Sequence, residues 1–394
     1  MQLNKPLRAF TFRNWLFVFL QSLVLLLIFL FYNNRNYVFS GEEQLLTKID
    51  VVNEMILKRD YKTPYNFVFI NTGKDLELAK DNEGSDIVIT DRQKLAAFFQ
   101  ILADSDAHTY ILADILFDLP SANDSTLAAV LPKLKRTVFP KHLSDTGEIS
   151  SVFGLHSAIA DYNTNVKKFS KFKLMYPTGQ RTLPVAMHED LQQVKYTSHF
   201  GGIFCNGKYC LQSIPPRYYI RPYQLETKAA PFYNLGELLT LTYDSSFYAQ
   251  FLKNKFIVLG NFDTDIHSTP IGKMPGVLIL LNTYLSLRDG RHMPGVSWFV
   301  TLFGIFFLIN LYLFYGKVKV PKIPDKEKWW HVLIREKLNN QLANIFSVIG
   351  LCLFISLISE ITFNIKPHTF VIFIYIILFS ELLKYYRIWK EGRK

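Results

Sequence analysis

The sequence lacks the signatures of the common enzyme classes. It has no Gly-rich phosphate loop, no nucleophile elbow and no kinase motif set. His188-Glu189 opens like a zinc-protease motif, but Gln192 stands where the second histidine must be. No internal repeat with a period of roughly 20–50 residues is visible, and no low-complexity run. Cysteine is scarce: Cys205, Cys210 and Cys352 are all there are. Net charge is missing from residues 33–295, which carry 28 Lys or Arg against 27 Asp or Glu. Nucleic acid is therefore not an expected partner of that region.

What the chain has in excess is hydrophobic sequence, 49% of 394 residues with 34 Phe. The excess is concentrated in four runs: Trp15 to Phe31, Val296 to Tyr315, Leu342 to Phe363 and Thr369 to Leu383. About 20 apolar residues cross the hydrocarbon layer, so four transmembrane helices are expected, the last being the shortest and carrying Glu381. Lys5, Arg8 and Arg13 precede the first run, and Phe31-Tyr32-Asn33-Asn34 offers no small-residue cleavage site, so an uncleaved anchor is expected. Residues 1–14, 316–341 and 384–394 together hold the whole formal net charge of +11. The positive-inside rule places all three in the cytoplasm. The expected order is then a cytoplasmic N-terminus 1–14, an anchor 15–32 and an external domain 33–295. Spans 296–315, 342–363 and 369–383 follow, joined by a basic loop 316–341 and a short external turn 364–368, before a cytoplasmic tail 384–394. The lipid bilayer is the first expected partner.

Within the external region, Phe256 to Leu259 is an apolar run without polar alternation, as in a strand covered on both faces. Asn66 to Ile70, Thr109 to Leu112 and Arg136 to Phe139 read as further strands. Asp91 reads as the N-cap of a helix through Leu102, and Asp124 or Ser125 as the cap of another. Strands alternating with helices imply an α/β domain with a largely parallel sheet. Ser144 to Ala230 has few periodic stretches and is expected to hold short, partly antiparallel strands as an insertion. Gly41 to Asp60 reads as a helix, packed on its own domain or forming a dimer stalk, which leaves a homodimer open. Trp329 to Leu338 reads as an interfacial amphipathic helix.

Ligands of open α/β sheets bind past the carboxyl ends of the strands. The stretch after Leu259 turns at Gly260-Asn261, carries Asp263, Asp265 and His267 in alternation, closes at Thr269-Pro270 and opens a helix at Pro275-Gly276. Its carboxylates and imidazole either contact a small molecule, hold a metal, or cap the loop through backbone amides. Asp114 follows a strand on the same expected edge, and Asp118 and Arg92 complete a possible pocket with Asp265. Alternatively Arg92 is one half of a structural ion pair. Cys205 and Cys210 flank Asn206-Gly207-Lys208-Tyr209. A four-residue loop sets the cysteines opposite each other for a disulfide, whereas a two-residue Asn-Gly turn sets Cys205 opposite Lys208. His199 with both cysteines is a further possible metal set. No catalytic residue, no bound metal and no cofactor is assigned.

A strand ending in Gly260, a loop with Asp265 before Thr269-Pro270, then Pro275-Gly276-Val277 and a helix resemble the type-two CHASE domain, the cyclase- and histidine-kinase-associated sensory extracellular domain. Arg92, Asp114-Ile115, Phe117, Asp124 and Leu127 fall in the same family's order. The resemblance implies a bacterial inner-membrane protein, multi-pass, with a periplasmic sensory domain that binds an unknown small molecule or envelope protein. Members often carry a cytoplasmic output domain after the trailing spans, and here only Lys384 to Lys394 follows the last run. Signalling is therefore expected to pass to a separate cytoplasmic protein. The second reading is a structural or scaffolding subunit of an envelope complex, and the third an exported hydrolase.

Overall fold

A computed structural model describes residues 11–35, 42, 65–80, 83–144, 147–148, 153–160, 169–176, 179–199, 202–226, 231–240, 245–315 and 329–391. The chain divides into two units, residues 59–293 and residues 1–58 with 294–394.

In the first unit six strands form one parallel sheet: β1 (Asn66–Asn71), β4 (Tyr110–Asp114), β5 (Thr137–Lys141), β8 (Ser157–Ile159), β14 (Phe232–Asn234) and β15 (Lys255–Gly260). Their order is β14-β1-β15-β4-β5-β8. The remaining strands pair antiparallel in small sheets: β2 (Leu76–Lys80) with β3 (Asp86–Thr90), β6 (Leu143–Ser144) with β7 (Gly147–Glu148), and β9 (Phe172–Lys173) with β13 (Ser213–Ile214). β10 (Tyr196–His199), β11 (Gly202–Cys205) and β12 (Lys208–Cys210) form a three-stranded meander, and β16 (Ile266–Thr269) pairs with β17 (Gly272–Pro275). The parallel sheet and the antiparallel strands between residues 144 and 230 agree with the pattern in the sequence.

Successive strand residues face opposite sides, and the three central strands are apolar on both. Phe67, Phe69, Tyr110, Leu112, Phe256 and Val258 join one core. Val68, Ile70, Ile111, Ala113, Ile257 and Leu259 join the other. The helices of this unit then fall into two layers. With α1 (Phe12–Asn33) assigned to the second unit, α2 (Arg92–Ser105) and α3 (Asp124–Val130) cover one face; α4 (Leu183–Gln192) lies on the other, which α5 (Pro222–Glu226) also joins. α6 (Leu235–Thr240) and α7 (Ser245–Phe251) return to the first face, and α8 (Gly276–Arg288) lies on the second. Asp91 caps α2 by accepting a hydrogen bond from the Lys94 backbone N–H at 3.0 Å.

α8 is buried from Gly276 to Leu287, so its polar residues need internal partners. The Asn282 side chain closes both backbone groups of Ile220, accepting at 2.9 Å and donating at 2.8 Å. The Ser286 hydroxyl accepts from the Arg217 backbone N–H at 2.9 Å. These bonds fix α8 against the segment 217–220, with its N-terminus at the carboxyl edge of the sheet.

The second unit contains α1, α9 (Val296–Tyr315), α10 (Trp329–Phe363) and α11 (Phe370–Glu391). Among the described residues three helices are long and apolar enough to cross a membrane: Phe12–Asn33, Val296–Tyr315 and the Phe346–Phe363 part of α10. This corrects the expectation of four. The fourth run lies in α11, whose apolar portion, Phe370–Leu383, is shorter than a span and ends in a charged continuation to Glu391. The four helices are tied by polar side chains. Asn310 on α9 donates to the Ser22 hydroxyl on α1 at 2.9 Å and accepts from the Tyr375 hydroxyl on α11. Trp298 donates to Ser359 at 2.7 Å. Near the end of α1, Glu42 accepts from Tyr32 at 2.8 Å and lies 3.4 Å from His368. The helix expected over 41–60 lies, apart from Glu42, outside the described residues, as does the basic stretch 316–328. Residues 329–338 are the helical start of α10, with their side chains outside the description.

Candidate functional site

Asn71, Gly260 and Asp114 stand side by side at the carboxyl ends of β1, β15 and β4. Gly260 is needed there because a Cβ would meet the Val277 Cβ at 3.0 Å, where the start of α8 packs on the strand end. Beyond Gly260 the chain forms a β-hairpin rather than an open loop, with Thr269 opposite Gly272. The backbone N–H of Gly276 donates to the Asp265 carbonyl at 2.9 Å, closing the hairpin onto the first residue of α8.

This arrangement brings together Asp114, Asp265 and His267. A Cβ on Gly276 would lie 2.2 Å from Asp265 Oδ2 and 3.3 Å from Asp114 Oδ2, so both carboxyls pack against one bare Cα. The extended backbone puts Asp265 and His267 on one side, and His267 Nε2 lies 2.7 Å from Asp265 Oδ1. The pair is partly open to solvent, 41% for Asp265 and 35% for His267. Asp114 is half-buried. Burial first, and then the charge of Asp265, push its carboxyl up to about 7, against the pull of His142 and His267.

The other candidate residues are directed elsewhere. Asp263 accepts from the Asn71 amide at 2.9 Å, joining the ends of β1 and β15. The Thr269 hydroxyl is buried and donates to the Gly272 carbonyl at 2.6 Å, locking the hairpin turn. Asp118 is exposed in the segment after β4. Arg92, 1% exposed, lies 3.7 Å from Asp124 and donates to the Leu116 and Leu119 carbonyls at 3.4 and 3.5 Å. Its guanidinium stacks 4.5 Å from the centre of the Phe117 ring. Arg92 thus holds the segment after β4 in place and leaves the edge without its cation.

Cys205 stands opposite Lys208 across a two-residue turn, with Asn206 and Gly207 both at positive φ. Both cysteines are free and buried, and the alternative that paired them across a four-residue loop is not the one formed. His199 pairs with Gly202, exposed and with its ring tilted against Phe204, on the opposite face of the meander from both sulfurs. A cluster that no local motif announces lies around Tyr196. The Tyr196 hydroxyl is 2.9 Å from His188 Nδ1 and 2.7 Å from His292 Nε2. Ligating atoms of His188, Cys205 and His292 all lie within 4.8 Å of one another. Burial pushes His188 down to about 4, and burial with the neighbouring His188 pushes His292 down to about 3, so both rings are neutral. The Cys210 thiol donates to the Lys208 carbonyl at 3.5 Å, and its interaction with the Cys205 thiol pushes Cys205 down and Cys210 up.

A parallel α/β domain with its carboxyl edge open, in a chain with apolar helices on both sides of it, defines a membrane-anchored α/β protein. The CHASE2 domain model matches residues 70–316. The chain belongs to the CHASE2 family, whose members are sensory extracellular domains. No curated protein and no solved structure matches it.

Proposed function

We propose that the protein is a sensor rather than an enzyme, anchored in a bacterial inner membrane with residues 33–295 outside, which signals through its membrane helices to a separate cytoplasmic protein. The observation that carries the reading is the CHASE2 match, which runs from β1 through the sheet edge and α8 into the apolar helix α9. Asp114, Asp265 and His267 form the sensing edge. With Arg92 taken up by Asp124, the two carboxyls favour a ligand that carries positive charge or donates hydrogen bonds. The basic stretch 316–341 supplies the cytoplasmic contact, and its charge suits an acidic surface.

Crosslinking in intact membranes, followed by identification of what co-purifies, tests this. A cytoplasmic signalling protein should be captured by the natural chain. It should be lost on charge reversal at Lys317, Lys319 and Lys322, with insertion intact, and its yield should change with Asp265→Asn. Capture of extracytoplasmic proteins alone, unaffected by the charge reversal, overturns the sensor reading in favour of a scaffolding subunit.

A further inference from the structure

We propose that His188, His292, Cys205 and Cys210 form a binding site for a zinc-class divalent metal, independent of the acidic edge. The four side chains come from four separate segments: α4, the stretch just after α8, β11 and β12. All four are buried, between 0 and 4% exposed. Three of them, His188, Cys205 and His292, already offer ligand atoms within 4.8 Å of each other, and Cys210 stands diagonal to Cys205 on the same face of the meander. Tetrahedral coordination with bonds of about 2.0–2.3 Å to nitrogen and sulfur needs only a modest contraction of such a set. Two imidazoles and two thiols are the donor set that selects zinc over magnesium or calcium.

The register of the hairpin favours a metal over a disulfide. Cys205 is opposite Lys208 and Cys210 opposite Ile203, so the cysteines are diagonal neighbours on one face. Diagonal positions lie roughly 7–8 Å apart, beyond the span a disulfide closes easily, whereas two thiolates on one metal need no S–S bond. Neighbouring contacts hold the donors in place. Glu189 accepts from the Tyr196 backbone N–H at 2.8 Å and pairs with Arg181 at 2.9 Å, fixing the turn that follows α4. The Leu211 backbone N–H donates to the His292 carbonyl at 2.8 Å, pinning His292 beside the end of β12. Nδ1 of His292 is buried without a hydrogen-bond partner.

The Tyr196 hydroxyl sits between the two imidazoles and gives up those contacts when the metal enters. Binding converts the two thiols to thiolates and releases their protons to solvent. Four protein ligands leave no open position, so the site is structural rather than catalytic. It clamps the antiparallel meander to the segment that leads into α9.

The test uses the full chain purified in detergent without chelators. Elemental analysis should find about one zinc per chain, the stoichiometry a closed four-ligand site takes. Cobalt exchanged into the site should give the visible absorption of a tetrahedral ion together with thiolate charge transfer. Cys205→Ser and His292→Asn should each abolish both bands. Tyr196→Phe should keep them, because the hydroxyl is not a ligand, and this variant distinguishes a metal site from a hydrogen-bonded cluster. Wild-type protein that is folded and reduced yet shows neither zinc nor a thiolate–cobalt band overturns the proposal. So does a Cys205–Cys210 disulfide in the protein as isolated.

Discussion

The carboxyls of Asp114 and Asp265 meet at the Cα of Gly276, the first residue of a helix buried along almost its whole length. The close approach is possible only because that residue has no side chain. Gly276→Ala would place a methyl group 2.2 Å from Asp265 Oδ2 and must drive the carboxylate or the helix away. The expected cost is about 1–3 kcal/mol, the range for overpacking a filled site. Thermal unfolding of the detergent-solubilised chain measures it, and an unchanged midpoint would show that the two carboxyls do not pack there.

Asp114 makes stability depend on pH in a defined direction. Its carboxyl is held up to about 7, above the ordinary aspartate value of about 3.9 that applies once the chain unfolds. Between those values the folded protein binds more protons than the unfolded chain, so stability falls as pH rises. The contribution is complete below about pH 4 and lost as pH passes 7. Asp114→Asn should flatten this part of the profile, and Asp265→Asn should shift it to lower pH by removing the neighbouring charge. A wild-type profile that rises from pH 4 to 7 relative to Asp114→Asn contradicts the assignment.

Arg92 is a structural clamp, and its substitutions should separate charge from shape. Arg92→Lys keeps a cation near Asp124 but cannot reach both the Leu116 and Leu119 carbonyls, and is expected to cost about 1–3 kcal/mol. Arg92→Ala leaves Asp124 without its cation and should cost about 3–5 kcal/mol, the range for a broken buried pair. Chemical denaturation of both variants is the measurement, and equal losses would mean that the charge beside Asp124 adds nothing to the clamp.

Asn310 joins α1, α9 and α11 through one side chain. Asn310→Leu removes both bonds while keeping the helix apolar, and should weaken the association of the three helices by about 0.6–2 kcal/mol. Susceptibility to denaturing detergent reports it. No change would show that the polar contact adds nothing to packing.

The parallel sheet was legible because β1, β4 and β15 are unbroken apolar runs, a pattern produced by burial on both faces. α4 was not, since its residues Leu183 to His188 are all buried and leave no period to read. The β2–β3 hairpin was missed for the opposite reason: Leu76, Leu78 and Val88 are exposed, so no core-facing alternation marks it. At the candidate site, the alternation that put Asp263, Asp265 and His267 on one side of an extended backbone is seen for Asp265 and His267, which touch. The departures of Asp263 and Thr269 depended on hydrogen bonds to Asn71 and Gly272 that spacing does not encode. The fourth membrane span was overread because its run, Thr369 to Leu383, was counted as a span although it falls below the roughly 17 residues that the hydrocarbon layer requires. The His188, Cys205 and His292 cluster depends on the packing of α4, the meander and the end of α8, and no local motif announces such an assembly.

β15 is the last strand of the sheet to be made, yet it lies between β1 and β4. During synthesis, the segments 66–71 and 110–114 do not pair with each other, and the ladder that joins their two halves of the sheet must wait for residues 255–260. The two cores therefore close only about 35 residues before the Val296–Tyr315 helix begins, within the reach of a single extended stretch of chain. Folding of the sheet and delivery of the first trailing helix to the membrane thus fall close together in time. A chain cut short before residue 255 would retain every strand of the parallel sheet but β15, with the exposed edges of β1 and β4 left as templates for aggregation.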